Sequence, residues 1–558
     1  MPRLLCCVLW LGTLWASLAW AGELVPDSGK GLFPGDDPLD PAHASPSPPW
    51  ADLHLGAFEG RRLALQSNWP AAEDQPPIDM LHYNIDVALS LFPPTINGTV
   101  TVTLRWQYAP GNTFRLDLKG LTASAVKDCN GNPIPFTQDS DGLEITVNPA
   151  PTFGDIVRLD VDYGGTPTGA YVTGNPTTYT FAEPNGARHW FPCRDVPWDK
   201  ATMRLAAWAP SGQKLVSNGV LDSTIVDSAG ATWYWREDHP IATYLIAVAM
   251  ANFTQVHATS SVVPMTWHVW AWDVLEAQQA FPNVPAMMDF FHTTLHPYGF
   301  DKYDNVESTF SGAMEHQSCT LFGSHLIQSG LTWEWVHTHE LAHHWFGNLV
   351  TLRDWREIWL NEGFATFYDA VWHEAFYGPA KFDQRMQVFE NTVFNLENED
   401  PPLLHTIFDP PPAHLFSGLV YRKGAWILRM LRDLVTKPVF DDAIRDYLAA
   451  HAYGNASTED LRAAMEARYG QPLDWFFDQW VYNGLGHPDL RYAPKYTKFG
   501  DTWLVQINLK QVQPPPQTLY AFPLEIQADV LSGGTELGTV WVQALPEQVV
   551  SFTTVDRP

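Results

Sequence analysis

The chain reads as a multidomain α+β protein: an antiparallel β domain, then a mostly helical domain, then a small β-sandwich. Three observations carry that expectation. Apolar residues alternate with mostly polar ones at Tyr83, Ile85, Val87 and Leu89 and again at Val100, Val102, Leu104 and Trp106, the two-residue period of half-buried strands. From about Val256 the alternation gives way to helical patterning. It returns at Trp503, Val505, Ile507 and Leu509, and at Phe522, Leu524, Ile526, Ala528 and Val530. At 558 residues the chain exceeds one ordinary domain, and an apolar content of 45% is ample for several cores.

Taken in order, residues 1–21 read as a secretory signal. Arg3 gives a positive start, residues 4–18 are apolar, and Ala19-Trp20-Ala21 fits a small-x-small cleavage site before Gly22. The apolar run is too short for a comfortable membrane span, and no later stretch looks transmembrane. Export places the protein in a periplasm or outside the cell. Residues 22–77 form a Pro-rich linker, with Ser45-Pro46-Ser47-Pro48-Pro49 as its most extended part. The β domain spans 78–255, punctuated by turns at Asn130-Gly131-Asn132-Pro133 and Gly164-Gly165-Thr166-Pro167. Its last apolar run, 241–253, is expected as a buried strand. The helical domain spans 256–487, with helices expected at 277–296, 331–346, 360–376, 422–435, 440–451 and 458–469, the last begun by Ser457-Thr458-Glu459-Asp460. The sandwich takes 488–558, with a turn at Gly533-Gly534.

The formal charge is −29 and no Lys/Arg run appears, which argues against nucleic acid as a partner. Beyond the signal only Cys129, Cys193 and Cys319 remain, so this is no disulfide scaffold.

The most informative stretch is His339-Glu340-Leu341-Ala342-His343, followed by Trp359-Leu360-Asn361-Glu362-Gly363-Phe364-Ala365. On a helix, positions i and i+4 share a face, so His339 and His343 point the same way and can hold one zinc ion. Glu362 is the third ligand. Three protein ligands leave a position open for water, as in catalytic zinc sites, and Glu340 is the candidate general base beside it. His337 and His344 lie off the ligand face, as packing or supporting residues. Asp369, seven residues past Glu362, either orients a ligand histidine or is a solvated helix aspartate. Upstream, Gly312 and Ala313 in Gly312-Ala313-Met314-Glu315-His316 let a substrate backbone approach closely, and Glu315 offers an anionic partner for a cation. Downstream, Tyr421 in Tyr421-Arg422-Lys423-Gly424 can donate a hydrogen bond to a developing oxyanion. Taken singly, Glu315 also suits a surface loop, and Tyr421 a packed aromatic.

Together these segments resemble the gluzincin aminopeptidases, the family of aminopeptidase N and leukotriene hydrolase, from about residue 79 to the C-terminus. Gly312 to His316 looks like the family's Gly-x-Met-Glu-Asn exopeptidase motif, and Tyr421 to Gly424 like its Tyr-x-Lys-Gly motif. Arg188 to Asp195 with Asp199 to Thr202 looks like the segment preceding the catalytic domain, Ala242 to Leu245 like the last strand before it, and Phe476 to Trp480 like its end. The resemblance implies a β-saddle domain, a thermolysin-like catalytic domain and a C-terminal sandwich, and one Zn2+ per chain. It implies that Glu315, helped by Glu183, holds the free ammonium of a peptide lying along Gly312, Ala313 and Met314. Tyr421 takes the transition-state role, and the substrates are peptides with a free N-terminus. Many relatives carry a further helical domain that roofs the site; from the resemblance, which runs to Pro558, a short form without that domain is expected. Eighteen residues separate His343 from Glu362, one fewer than the resemblance assigns to thermolysin-type endopeptidases, which favours an exopeptidase.

Two departures stand out. Phe181 occupies a place where glutamine is usual, and His316 one where asparagine is usual. His316 either makes a similar structural hydrogen bond or, protonated near pH ~6.5, partly neutralises Glu315. Two rival functions share the motifs: a zinc hydrolase of a non-peptide substrate such as an epoxide, and a non-catalytic scaffold.

Overall fold

The computed structural model describes residues 14–15, 78–91, 93–107 and 111–558. The signal segment 1–21 and the Pro-rich stretch 22–77 lie outside the described residues, apart from the two-residue strand Leu14–Trp15, which pairs in parallel with Ile526 and Gln527.

The N-terminal domain is built on a seven-stranded sheet. Its spatial order is Val220–Val226, Gly230–Ile241, Ala201–Pro210, Ile78–Leu91, Pro94–Trp106, Ile156–Gly165 and Thr122–Asp128. Alternation does what the sequence expects of it: Tyr83, Ile85, Val87 and Leu89 are buried, as are Val100, Val102, Leu104 and Trp106. Neighbouring strands run antiparallel with one exception, the parallel pair Ala201–Pro210 and Ile78–Leu91. The chain leaves the sheet after Ile156–Gly165, makes a long excursion, and re-enters beside its first strand from the same end. Two smaller sheets flank it, one of Thr113–Asp117, Gly142–Thr146 and Phe136–Gln138, the other of Lys214–Ser217, Val248–Ala251, Thr178–Thr180 and Tyr171–Val172.

The run 241–253 is buried as expected but is not one strand. A 3-10 turn at Thr243–Leu245 separates Gly230–Ile241 from Val248–Ala251. The turn is set by side chains that reach away from any sheet: Thr243 Oγ1 donates to Asp195 Oδ1 at 3.0 Å, and Asn361 Nδ2 donates to the Tyr244 hydroxyl at 3.2 Å. Strand Thr254–Ala258 already belongs to the next sheet.

That next sheet has five strands, ordered Thr254–Ala258, Met265–Val269, Tyr303–Ser308, Cys319–Gly323 and Ala313–Met314. The short edge strand Ala313–Met314 runs antiparallel to Cys319–Gly323 and borders the site described below. Helices follow, with four departures from the periodicity, the first being the helix Pro379–Asn398, which lies where no helix was expected. The expected helix at 277–296 is two, Val274–Ala280 and Val284–Thr294, because Pro282 and Pro285 cannot continue the first ladder. The stretch 331–346 begins as a 3-10 turn, Gly330–Trp333, and is α-helical only over Glu334–Ala342. Tyr421 lies in a π-turn, Leu419–Lys423, that precedes the helix Gly424–Val435. Helix Thr458–Tyr469 starts as expected, with Ser457 and Asp460 forming a capping box.

The C-terminal strands make two layers. Leu490–Phe499, Thr502–Gln511 and Glu547–Thr554 form one antiparallel sheet, and Phe522–Asp529 with Thr535–Val542 the other pairing. Gly538 of the second layer faces the ring of Phe552 in the first so closely that a β-carbon there would lie 2.2 Å from it. Among the described residues no helix is long and apolar enough to cross a membrane.

Candidate zinc site

Two buried helices build the site. The first, Glu334–Ala342, carries His339 and Glu340, and His343 closes its last turn in helical conformation. The second, Trp359–Tyr377, places Glu362 in its first turn. His339 Nε2 and His343 Nε2 lie 3.0 Å apart, and each is 3.3 Å from Glu362 Oε2. Tetrahedral ligands at ~2.0–2.1 Å from zinc stand about 3.3 Å from one another, so this triangle matches one face of such a shell. Glu362 Oε2 is buried and accepts no hydrogen bond. His343 Nδ1 donates to the Phe346 carbonyl at 3.0 Å, which fixes the tautomer and leaves Nε2 as a lone-pair donor. Among the described residues these are the one group with metal-ligand spacing. The donor set, two imidazoles and a carboxylate, fits Zn2+.

After His343 the chain must turn sharply. Gly347 supplies the turn at φ +132°, and a β-carbon there would press on the His343 carbonyl at 3.3 Å. Lys200 of the N-terminal domain donates to the carbonyls of Asn348 and Leu349, at 2.8 and 3.2 Å, and burial lowers its pKa to about 7. Asn348 Nδ2 in turn donates to the Glu315 carbonyl at 2.8 Å. One chain of contacts thus joins the N-terminal domain, the ligand turn and the edge strand.

Around the ligands stand the other residues expected from sequence. Glu315 follows the edge strand Ala313–Met314, and its Oε1 is 3.9 Å from His343 Nδ1. Gly312 anchors that strand through its carbonyl, which accepts from Gly323 N–H at 2.8 Å, and Met314 is fully buried. Glu183 arrives from the N-terminal domain and is 4% exposed. Burial, then the charges of Glu315, Glu362 and Glu340, push its carboxyl well up. Glu340 is also raised, by burial and by Glu315 and Glu362, with His343 opposing. Glu183 Oε1, Glu315 Oε1 and Glu340 Oε2 are all buried without a hydrogen bond. Four carboxylates therefore converge on two imidazoles. Glu183, Glu315 and Glu340, held this close, resist ionisation until cations enter, whereas His343 and His339 outweigh burial at Glu362 and keep its carboxyl below the usual value.

Tyr421 stacks on His339, with ring centroids 5.9 Å apart and 15° between planes. Burial, then the nearby glutamates, raise its phenol well above the usual value, so it remains a proton donor. It is brought there by an unusually close helix crossing: a β-carbon on Gly424 would lie 2.9 Å from the Gly363 α-carbon.

Asp369 is not a solvated aspartate. It is 1% exposed, pairs with Arg385, and lies 3.1 Å from His373 Nδ1. Its charge helps to raise His339 against the lowering effect of burial. His316 departs from both expectations. It is buried, neither ring nitrogen makes a hydrogen bond, and burial drives its pKa down to about 3. It is therefore neutral across the physiological range and cannot screen Glu315. His337 packs against Phe281 and Phe322, while His344 bonds the Tyr298 hydroxyl at 2.9 Å and Thr320 Oγ1 at 3.2 Å. Asn348, Lys200 and the Asn361–Tyr244 pair were not foreseen as supports. Gly347-Asn348 directly after the histidines was the available signal, since such a pair marks a turn.

Comparison with known proteins bears on this geometry. The family model described as "Peptidase family M1 domain" matches residues 279–480, and "Peptidase M1 N-terminal domain" matches residues 79–245. Glutamyl aminopeptidase of Rattus norvegicus is 29% identical over 544 residues, covering 90% of this chain and 55% of the relative. Aminopeptidase M1 of Arabidopsis thaliana is 29% identical over 320 residues, covering 54% of this chain and 36% of the relative. The chain spans about half the length of the glutamyl aminopeptidase it matches. An M1 zinc metallopeptidase from Deinococcus radiodurans shares the fold, with TM-score 0.67, 23% identity, and coverage of 74% of this chain and 96% of that one. A form of that enzyme solved with a Tyr-Ser-Ala substrate gives TM-score 0.65 at 24% identity, with coverage of 72% and 94%.

Proposed function

From its place in peptidase family M1, to which this chain belongs, we propose that the protein is a zinc-dependent aminopeptidase that hydrolyses the first peptide bond of peptides with a free N-terminus. The observation that carries this reading is the excess of buried carboxylate. Glu362 completes the metal triangle and Glu340 serves as base, which leaves Glu183 and Glu315 with no role toward the metal. A substrate ammonium is the cation they suit.

Zinc, when bound by His339, His343 and Glu362, supplies Lewis acidity and brings the pKa of water toward ~7. Glu340 accepts the proton of the attacking water and later delivers it to the leaving amine. Tyr421 donates its phenolic proton in a hydrogen bond to the oxyanion as the carbonyl becomes tetrahedral. Glu315 and Glu183 hold the ammonium, and the edge strand Ala313–Met314 offers its backbone to the substrate. The anchor sets how far along the peptide cleavage falls. An epoxide lacks the ammonium that this pair of carboxylates favours.

Export to a periplasm or the cell exterior belongs to the same proposal, supported by residues 1–21. Sequencing the N-terminus of exported protein should find Gly22 first; retention of residue 1 would reject it. The activity is tested with a panel of fluorogenic aminoacyl reporters. The expected result is turnover that a chelator abolishes and stoichiometric zinc restores. Zinc-loaded protein inert toward the whole panel would contradict it.

A further inference from the structure

The segment that carries Tyr421 is held from behind by a buried ionic cluster that the chemistry above does not use. Lys423 ends the π-turn Leu419–Lys423, two residues beyond Tyr421. Its Nζ donates to Glu397 Oε1 at 2.8 Å and to the Gly486 carbonyl at 2.7 Å. The other oxygen of Glu397 accepts from His487 Nδ1 at 2.6 Å, and the His487 ring lies on Phe394 with centroids 4.2 Å apart. The Gly486 carbonyl accepts a second hydrogen bond, from the Tyr520 hydroxyl at 2.9 Å, and the Tyr520 ring stacks on Trp480 at 4.3 Å. The side chains of Lys423 and Glu397 are 7% and 0% exposed.

Three separate parts of the chain meet in this cluster: the helix Pro379–Asn398, the π-turn, and the 486–487 connection into the C-terminal strands. A buried ion pair is weak evidence for stability, because desolvation offsets the attraction. What it does well is hold one geometry. A π-turn needs such a restraint, since its wider ring is uncommon and persists mostly where function requires it. We propose that Lys423, clamped by Glu397 and by the Gly486 carbonyl that Tyr520 also holds, is a positioning residue that fixes the Tyr421 hydroxyl over the reacting carbonyl, and so couples the C-terminal domain to turnover. The inference rests on the oxyanion role given to Tyr421 above.

A double-mutant cycle tests it. Lys423→Met should lower kcat about ten- to a hundredfold, the scale on which small misplacements act. KM and zinc content should stay within about twofold, because neither the ammonium anchor nor the ligands move. In a Tyr421→Phe background, where the hydroxyl is already gone, Lys423→Met should cost no further kcat. If Lys423→Met lowers kcat by the same factor in both backgrounds, or if zinc is lost with it, the positioning role is overturned. Tyr520→Phe removes a single hydroxyl and serves if Lys423→Met does not fold. Its smaller fall in kcat, about two- to fivefold, should also vanish in the Tyr421→Phe background, and persistence there overturns the proposal equally. A Tyr421→Phe enzyme with wild-type kcat would instead remove the oxyanion role itself, and the clamp's purpose with it.

Discussion

Glu340 and His339 are neighbours in sequence to which the proposed mechanism gives separate duties, and substitution should divide them. Glu340→Gln keeps the shape of the side chain and all three ligands, so zinc content should remain at one per chain. Turnover should fall by about a hundred- to ten-thousandfold, the usual contribution of a general base. A Glu340→Gln enzyme near wild-type rate would remove it from the mechanism. His316 supplies a second prediction. With a folded pKa of about 3, it stays neutral beside Glu315, so wild type and His316→Asn should give superimposable KM profiles between pH ~5.5 and ~8. Its effect belongs to stability. The unfolded imidazole titrates near ~6.5 and the folded one far lower, so the unfolded state takes up the proton first, and stability falls as pH drops through that window. His316→Asn should flatten this fall in an acid-unfolding series; identical series would show that His316 does not contribute. The group of His339, His343 and Glu362 was legible because residue type and spacing define it, whereas Glu183 and Glu315 were reached through the family resemblance. The state of His316 was not legible, because burial is a property of what folds around a residue.

At the scale of elements, the site depends on two helices approaching through bare backbone. Gly363 follows Glu362, and Gly424 begins the helix after Tyr421. Any side chain at Gly424 pushes these segments apart, because its neighbour there is backbone and cannot rotate away. Gly424→Ala should destabilise the protein by about 1–3 kcal/mol, the usual cost of overpacking. It should also lower kcat more than it changes KM, because it shifts Tyr421 relative to His339. Thermal unfolding and steady-state kinetics on the same sample check both, and a variant unchanged in each would mean that the crossing relaxes freely. Helical periodicity located several helices within a few residues but passed over the longest, Pro379–Asn398. It missed the break at Pro282 and the π-turn at Leu419–Lys423, the first because apolar spacing carries across a short interruption. A π-turn differs from α-helix by one residue of register, which no hydrophobic pattern records.

For the whole molecule, the sequence of β, helical and β textures matched the order of the domains. The long return that sets Ala201–Pro210 parallel to Ile78–Leu91 was invisible, since alternation reports which face is buried and not which strand lies alongside. What unites the domains is the site: Glu183 comes from the first, the ligands from the second, and through Gly486 and Tyr520 the third reaches the Tyr421 segment. Under the proposed function their joint consequence is a ruler that measures from a substrate's positive end. The most direct test compares one peptide in two forms, with a free and with an acetylated N-terminus, on the same zinc-loaded enzyme. The free peptide should be shortened one residue at a time. The acetylated peptide, which has lost the charge that Glu183 and Glu315 are proposed to hold, should be cleaved about thirty- to a hundred-and-fiftyfold more slowly in kcat/KM, as for loss of a charged hydrogen-bonded anchor worth ~2–3 kcal/mol. Cleavage of the acetylated form at a comparable rate, or at internal bonds, would contradict the account.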